Sequence, residues 1–245
     1  VPDEALPLVR ALNDLLTRLH TALKTQREFI ADAAHELRTP LTALQLQAQL
    51  IERANDADSR QAAIDDLRAG LERATHLVAQ LLTLARAEPG AALPTPDAVD
   101  LVRLCRQSVI DHAALADARR IDLGLADGPA DLAITGHADA LRTLLDNLVA
   151  NAVRYTPPGG RVDVRCGSDG TGAWLEVTDN GPGIPEAERE RVFDRFYRRS
   201  GQSASGSGLG LAIVQAIARQ HDAQVTLDDA PGGGLRARVV FAKRS

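Results

Sequence analysis

The 245-residue sequence predicts a two-part architecture: an α-helical hairpin that pairs with a second copy into a four-helix bundle, then an α+β sandwich. Three observations predict it. Apolar positions recur in steps of three and four from Leu12 to Ala85, the period of a bundle seam. The stretch "EPGAALPTPD" (88–97) then breaks the chain with three prolines and a glycine. Beyond it, helix-like segments are interspersed with short strands of alternating polarity, the mark of a sheet with one solvated face.

The first helix carries Leu12, Leu16, Leu19, Leu23, Gln26, Ile30, Ala33 and Leu37, a seam with one polar member. At Pro40 the repeat slips to Leu41, Leu44, Ala48 and Ile51. Proline removes a helical hydrogen bond and crowds the preceding turn, so a kink is expected there. "ANDAD" (54–58) reads as a turn. The second helix presents Ile64, Leu67, Leu71, Ala74, Val78, Leu81 and Ala85. One hairpin cannot bury both flanks of such stripes, which implies dimerisation. After the proline-rich break, helices are expected near 101–117, 137–154 and 209–220. Strands are expected at "RIDLGLA", "DLAIT", "RVDVRC", "AWLEVTD", "AQVTLDD" and "LRARVVFA".

Bulk properties narrow the function. A net charge of −5 and a pI near 5.7 argue against a nucleic-acid surface, which carries a basic excess. Cys105 and Cys166 form no C-x-x-C or Cys/His cluster and read as small buried hydrophobes of a reducing compartment. No apolar run approaches the ~20 residues that span a bilayer. The chain starts at Val1 and contains no methionine, so it is expected to be a soluble piece of a longer protein, with membrane attachment upstream.

The stretch "HELRTP" (35–40) opens like a zinc-protease helix, but Thr39 stands where the second histidine ligand would be. At 100° per residue His35 lies about 200° from Ala33, off the seam. An exposed imidazole keeps a nucleophilic lone pair at neutral pH, and the neighbouring Glu36 can take the proton released on substitution. Thr39 shares its face one turn on. His76 is also off-stripe but lacks an acidic neighbour, and it reads as a solvated helix residue.

Three segments of the second part suit a nucleotide. "DNLVANAVRYT" sets Asn147 and Asn151 one helical turn apart, with Arg154 and Tyr155 close behind. Carboxamide oxygens suit a hard cation such as Mg²⁺, and an arginine beside them suits phosphate. "DNGPGIP" puts Asp179 at a strand end, where it can accept from an exocyclic amine, while Gly181 and Gly183 let backbone approach a flat ring. "GSGLGLAIVQAIA" runs from Gly206, Gly208 and Gly210 into a helix, a setting for anionic phosphate, although its spacing is not a dinucleotide fingerprint.

The order and spacing of these motifs resemble bacterial two-component sensor histidine kinases, over residues 25–243. "HELRTP" resembles their phosphoacceptor box, "NLVANAVRYT" the N box, "DNGPGI" and "GSGLGL" the two glycine boxes and "FDRFYR" the F box. "LPLVRALNDLLTRL" resembles the last helix of a HAMP linker. The resemblance implies a HAMP-like linker end at 1–24, a dimerisation and phosphotransfer hairpin at 25–88, a linker at 89–97 and a catalytic domain at 98–245. That domain would have the ATP-binding fold shared with chaperone and topoisomerase ATPases.

It also implies roles. His35 accepts the γ-phosphoryl group of ATP, with Glu36 as proton acceptor. Asn151 coordinates Mg²⁺ with Asn147 in support, Arg154 touches phosphate, Tyr155 borders adenine and Asp179 binds its amino group. Gly206, Gly208 and Gly210 form the hinge and phosphate side of a lid spanning 194–208, and Thr39 positions water for dephosphorylation. The implied partners are a second copy and the receiver domain of a response regulator. The implied location is the cytoplasmic face of the bacterial inner membrane. The related ATPases carry a water-activating glutamate four residues before the magnesium asparagine, where this chain has Asn147. The alternative is a dimeric nucleotide-sensing scaffold without kinase activity.

Overall fold

The computed structural model describes residues 6–87, 95–198 and 206–243, with the side chains of 6–11, 18, 21, 22, 25 and 26 excluded. The expected seam residue Gln26, most of the expected linker and the expected lid tip at 199–205 therefore lie outside the described residues. The chain divides into two compact units between Ala79 and Gln80.

The first unit is helical. Helix α1 spans Leu6–Arg53 and contains Pro40, the position of the expected kink, without a break in the helix. Helix α2 spans Ala57–Arg86, so the predicted turn is shorter than "ANDAD" and closes at Asp56. The Asp56 carboxylate caps α2 by accepting from the Ser59 backbone N–H at 2.7 Å and from the Ser59 hydroxyl. These bonds, the backbone one first, hold its pKa below the ordinary aspartate value. Where the two helices approach, Gly70 is buried against Leu44 and Gln47 of α1. Much of the apolar stripe stays open in the single chain: Leu19, Ile30, Leu41, Leu71 and Val78 are all exposed.

The second unit takes in the last two turns of α2, whose Leu81 and Leu84 are buried, as is Ala87 just beyond them, and a two-layer α+β sandwich. Strand β1 (Asp97–Asp100) lies where the sequence analysis ended its linker. It pairs antiparallel with β3 (Ala133–Gly136), so the "DLAIT" strand belongs to a separate two-stranded sheet. Asp100 ends β1 and caps helix α3 (Leu101–Ala118) through the Arg103 N–H. The main sheet has the order β2-β4-β5-β7-β6. Its strands are β2 (Asp122–Leu125), β4 (Arg161–Asp169), β5 (Gly172–Asp179), β6 (Ala223–Asp229) and β7 (Leu235–Ala242). Only the β2–β4 pairing is parallel.

Helices α3, α4 (Ala138–Tyr155) and α5 (Gly210–Gln220) cover the sheet. Leu141, Leu144, Leu145 and Val149 of α4 and Ile213 and Val214 of α5 are fully buried, together with Val162, Val164, Leu175 and Val239 of the sheet. Each such side chain stabilises the fold by about 1.5–3 kcal/mol. The opposite face of the sheet is solvated and carries Arg165, Glu176 and Arg238 as an ion-pair row, with the Arg238 guanidinium 4.4 Å above the Trp174 ring.

Two polar contacts inside this core tie α4 to its neighbours. His221, at the end of α5, holds Ile217 O through Nδ1 and accepts the His137 backbone N–H at Nε2, 3.0 Å away. That bond satisfies an N–H at the start of α4, which no side chain caps. Ser108 of α3 donates to Asp146 of α4 at 2.6 Å. Cys105 and Cys166, distant in sequence, are both buried and free; the neighbouring Cys166 thiol and then burial push the Cys105 thiol well up.

Candidate active site

Asn147 and Asn151 project from α4 toward the start of α5. A Cβ on Gly210, the first residue of α5, would lie 3.2 Å from Asn147 Oδ1 and 3.4 Å from Asn151 Oδ1. Asn147 donates its Nδ2 to Thr143 O at 2.8 Å, which leaves Oδ1 turned toward Gly210. Among the described residues no side chain caps α5, and such a helix start suits an anion. The Asn147 and Asn151 carboxamides, with Asn151 Nδ2 nearest that Cβ at 3.1 Å, thus meet the start of α5 at one place. Among the described residues no three His, Cys, Asp or Glu side chains cluster as a metal site. The carboxamide oxygens of Asn151 and Asn147 are hard ligands that would fit a cation such as Mg²⁺.

Arg154 and Tyr155 close α4. The Arg119 guanidinium caps the helix end by donating to Arg154 O at 2.9 Å. A Cβ on Gly206 would come within 2.7 Å of Arg154 Nη1, so the guanidinium lies against the glycine that opens the second glycine-rich motif. Tyr155 stays partly exposed. On the other side, a Cβ on Gly181 would sit 3.2 Å from Tyr155 O and 3.0 Å from Asp179 Oδ1, which joins the end of α4 to the "DNGPG" turn.

Asp179 is buried at the end of β5. Its Oδ1 accepts the Gly181 N–H at 2.8 Å and the Leu235 N–H at 3.2 Å. Burial raises its pKa above the ordinary aspartate value, and the two backbone bonds offset part of that rise. Asn180 secures the same turn by accepting the Arg161 N–H at 2.8 Å.

The root of the expected lid is closed by backbone. Phe196 N–H donates to Gly208 O at 3.0 Å, and both residues have positive φ, 61° and 73°. A Cβ on Gly208 would fall 2.7 Å from the Phe196 carbonyl carbon, a contact that backbone cannot relieve. Gly208→Ala is therefore expected to destabilise the second unit by about 1–3 kcal/mol. Urea melts check this. Ser207 donates to Gln80 Oε1 at 2.7 Å and accepts the Leu209 N–H, a contact that sequence patterning could not reveal.

The remaining predicted residues lie on α1 in the first unit. His35 and Thr39 are exposed and Glu36 is half-buried. The sequence reading missed the β6–β7 turn, which delivers the Leu235 N–H to Asp179; its signal was the glycine run Gly232–Gly234.

The comparisons with known proteins agree with this arrangement. Residues 25–90 match the His Kinase A (phospho-acceptor) domain, and residues 136–245 match the Histidine kinase-, DNA gyrase B-, and HSP90-like ATPase family. The chain belongs to the sensor histidine kinases, with a phosphoacceptor domain followed by an ATPase-type domain.

Among particular proteins, it is 42% identical over 240 residues to Sensor protein QseC of Escherichia coli (strain K12), covering 98% of this chain and 53% of QseC. The solved cytoplasmic segment of histidine kinase QseC is 34% identical with a TM-score of 0.51, covering 71% of this chain and 95% of that one. Acinetobacter baumannii histidine kinase AdeS has the same fold, with a TM-score of 0.71 over 86% of this chain and 98% of that one at 22% identity. The chain spans about half the length of the curated relatives it matches. No described helix is long and apolar enough to cross a membrane.

Proposed function

We propose that this protein is an ATP-dependent protein-histidine kinase that phosphorylates itself on His35 and passes the phosphoryl group to an aspartate of a response regulator. The observation that carries the reading is the meeting of Asn147, Asn151 and the uncapped start of α5 in a unit of the ATPase family. Asp179 supplies an acceptor for the adenine amine, Tyr155 a wall for the base, and Arg154 and the α5 amides a cradle for phosphate. Mg²⁺, held by Asn151 with Asn147 beside it, would neutralise charge on the phosphates.

In the transfer, a ring nitrogen of His35 attacks the γ-phosphorus, the bond from phosphorus to the bridging oxygen breaks, and ADP leaves. The imidazole proton passes to Glu36. Asn147 in place of a water-activating carboxylate disfavours hydrolysis and leaves His35 as the acceptor. Thr39, exposed one turn beyond His35, would orient water when the regulator is dephosphorylated; its exposure on the same helix supports that role. The exposed stripe on α1 and α2 supports a homodimeric bundle as the working form. Attachment of the whole protein to the inner membrane is part of this proposal; the relatives it matches over about half their length are named sensor proteins.

Incubation with γ-labelled ATP and Mg²⁺ tests the reading. Acid-labile, base-stable label should form and move to a receiver domain when one is added. Nucleotide binding without label would favour the sensing scaffold.

A further inference from the structure

The β6–β7 turn has no part in the function just described, yet it lies directly on the adenine-binding aspartate. The turn is closed by the Ala230 N–H to Gly234 O bond at 3.1 Å and the Gly233 N–H to Ala230 O bond at 3.0 Å. Gly232, Gly233 and Gly234 have φ of 94°, 99° and 101°, a conformation that side chains resist. The three glycines differ in their surroundings. A Cβ on Gly232 or Gly233 would meet nothing, whereas one on Gly234 would fall 2.0 Å from Asp179 O and 2.7 Å from Asn180 Cα. From the other side, a Cβ on Gly183 would lie 3.1 Å from Gly234 O. The two backbones touch with only hydrogens between them.

This approach brings the Leu235 N–H to Asp179 Oδ1, which the Gly181 N–H already occupies. Oδ1 is therefore satisfied twice. Oδ2 accepts from no described residue, and it is not among the fully buried polar atoms. It is the oxygen left to meet a ligand.

We propose that Gly234 and the Leu235 backbone amide are positioning residues for base recognition: they pin the inner oxygen of Asp179 so that the outer one faces the exocyclic amine of adenine. A freely turning carboxylate would have to lose rotational freedom before it could meet the amine, which weakens that bond; pinned by two amides, it meets the donor already oriented. The proposal rests on reading the second unit as an ATP site.

The test compares ADP with inosine diphosphate, which carries a carbonyl in place of the amine, by calorimetric titration. Wild type should favour ADP by about 100-fold or more, since a site built to pair with a donor rejects an analogue lacking it. Replacing the 234–235 amide by an ester removes the one N–H; it should weaken ADP about tenfold while leaving inosine diphosphate unchanged. Gly234→Ala should do the same if it folds, and the ester decides if it does not. Gly232→Asn, which disturbs the turn away from Asp179, should keep the wild-type ratio. A folded ester variant that keeps the wild-type ratio overturns the proposal and leaves the ATP reading standing. Wild-type protein that binds neither nucleotide overturns both.

Discussion

His35→Gln is expected to abolish incorporation of the γ-phosphoryl group, a loss of at least about 10³-fold, or roughly 4 kcal/mol of transition-state stabilisation. Glutamine is similar in size and uncharged, but its carboxamide nitrogen has no lone pair available for phosphorus. The change touches only an exposed side chain of α1, so the helix should persist. Nucleotide binding should be unaltered, because every residue assigned to it lies in the second unit. His76→Gln is the control: His76 is also exposed, on α2, and that variant should label as wild type does. Persistent acid-labile label in His35→Gln would show that another side chain is the nucleophile.

Asp179→Asn should lower affinity for ATP about 100-fold while leaving the unliganded protein at least as stable at neutral pH. The carboxylate accepts from two backbone amides and has one oxygen left for the base. Asparagine has a single acceptor oxygen, so it must either abandon the amides or turn an NH₂ toward the adenine amine. Such a donor facing a donor costs about 2–3 kcal/mol.

The stability side follows from linkage. Burial raises the Asp179 pKa in the folded state above its unfolded value. The protonated carboxyl therefore favours folding below the unfolded pKa, and that advantage is lost as pH rises through the folded one. At neutral pH the ionised group opposes folding, and asparagine removes that cost. Wild-type affinity for ATP should also fall on acidification, beginning above the usual aspartate range, where the asparagine variant stays flat. Urea unfolding at pH 7 with calorimetric titration across pH checks both claims. A variant that is less stable but still binds ATP would refute the assigned role.

The hairpin and the helix–strand succession of the second part were legible because each obeys a local period. The three-and-four spacing from Ile64 to Ala85 marks α2, and the alternation of "RVDVRC" marks β4. Strand β1 was not legible: Asp97–Asp100 follows three prolines, and only pairing with Ala133–Gly136 makes it a strand. The Pro40 repeat slip was visible, but the neighbouring turns of α1 carry the helix through it. Among the residues proposed to hold nucleotide, Asn147, Asn151, Asp179 and the glycine boxes stand out in the sequence by type and spacing. The glycine run before Leu235 was equally visible, but nothing local linked it to a strand end 56 positions away.

What the chain order alone established is the class of chemistry: which side chains are available, and in which local frames they stand. Hydrophobic period and motif spacing are short-range quantities, readable without a third dimension. Tertiary packing decided which frames meet. It set Gly210 against Asn147 and Asn151, closed Phe196 on Gly208, and laid Gly234 on Asp179. Those contacts depend on α4, α5 and the β6–β7 turn being fixed over one sheet. Burial of Leu141, Leu144, Leu145 and Ile213 does the fixing, and it brings together residues that no local pattern relates.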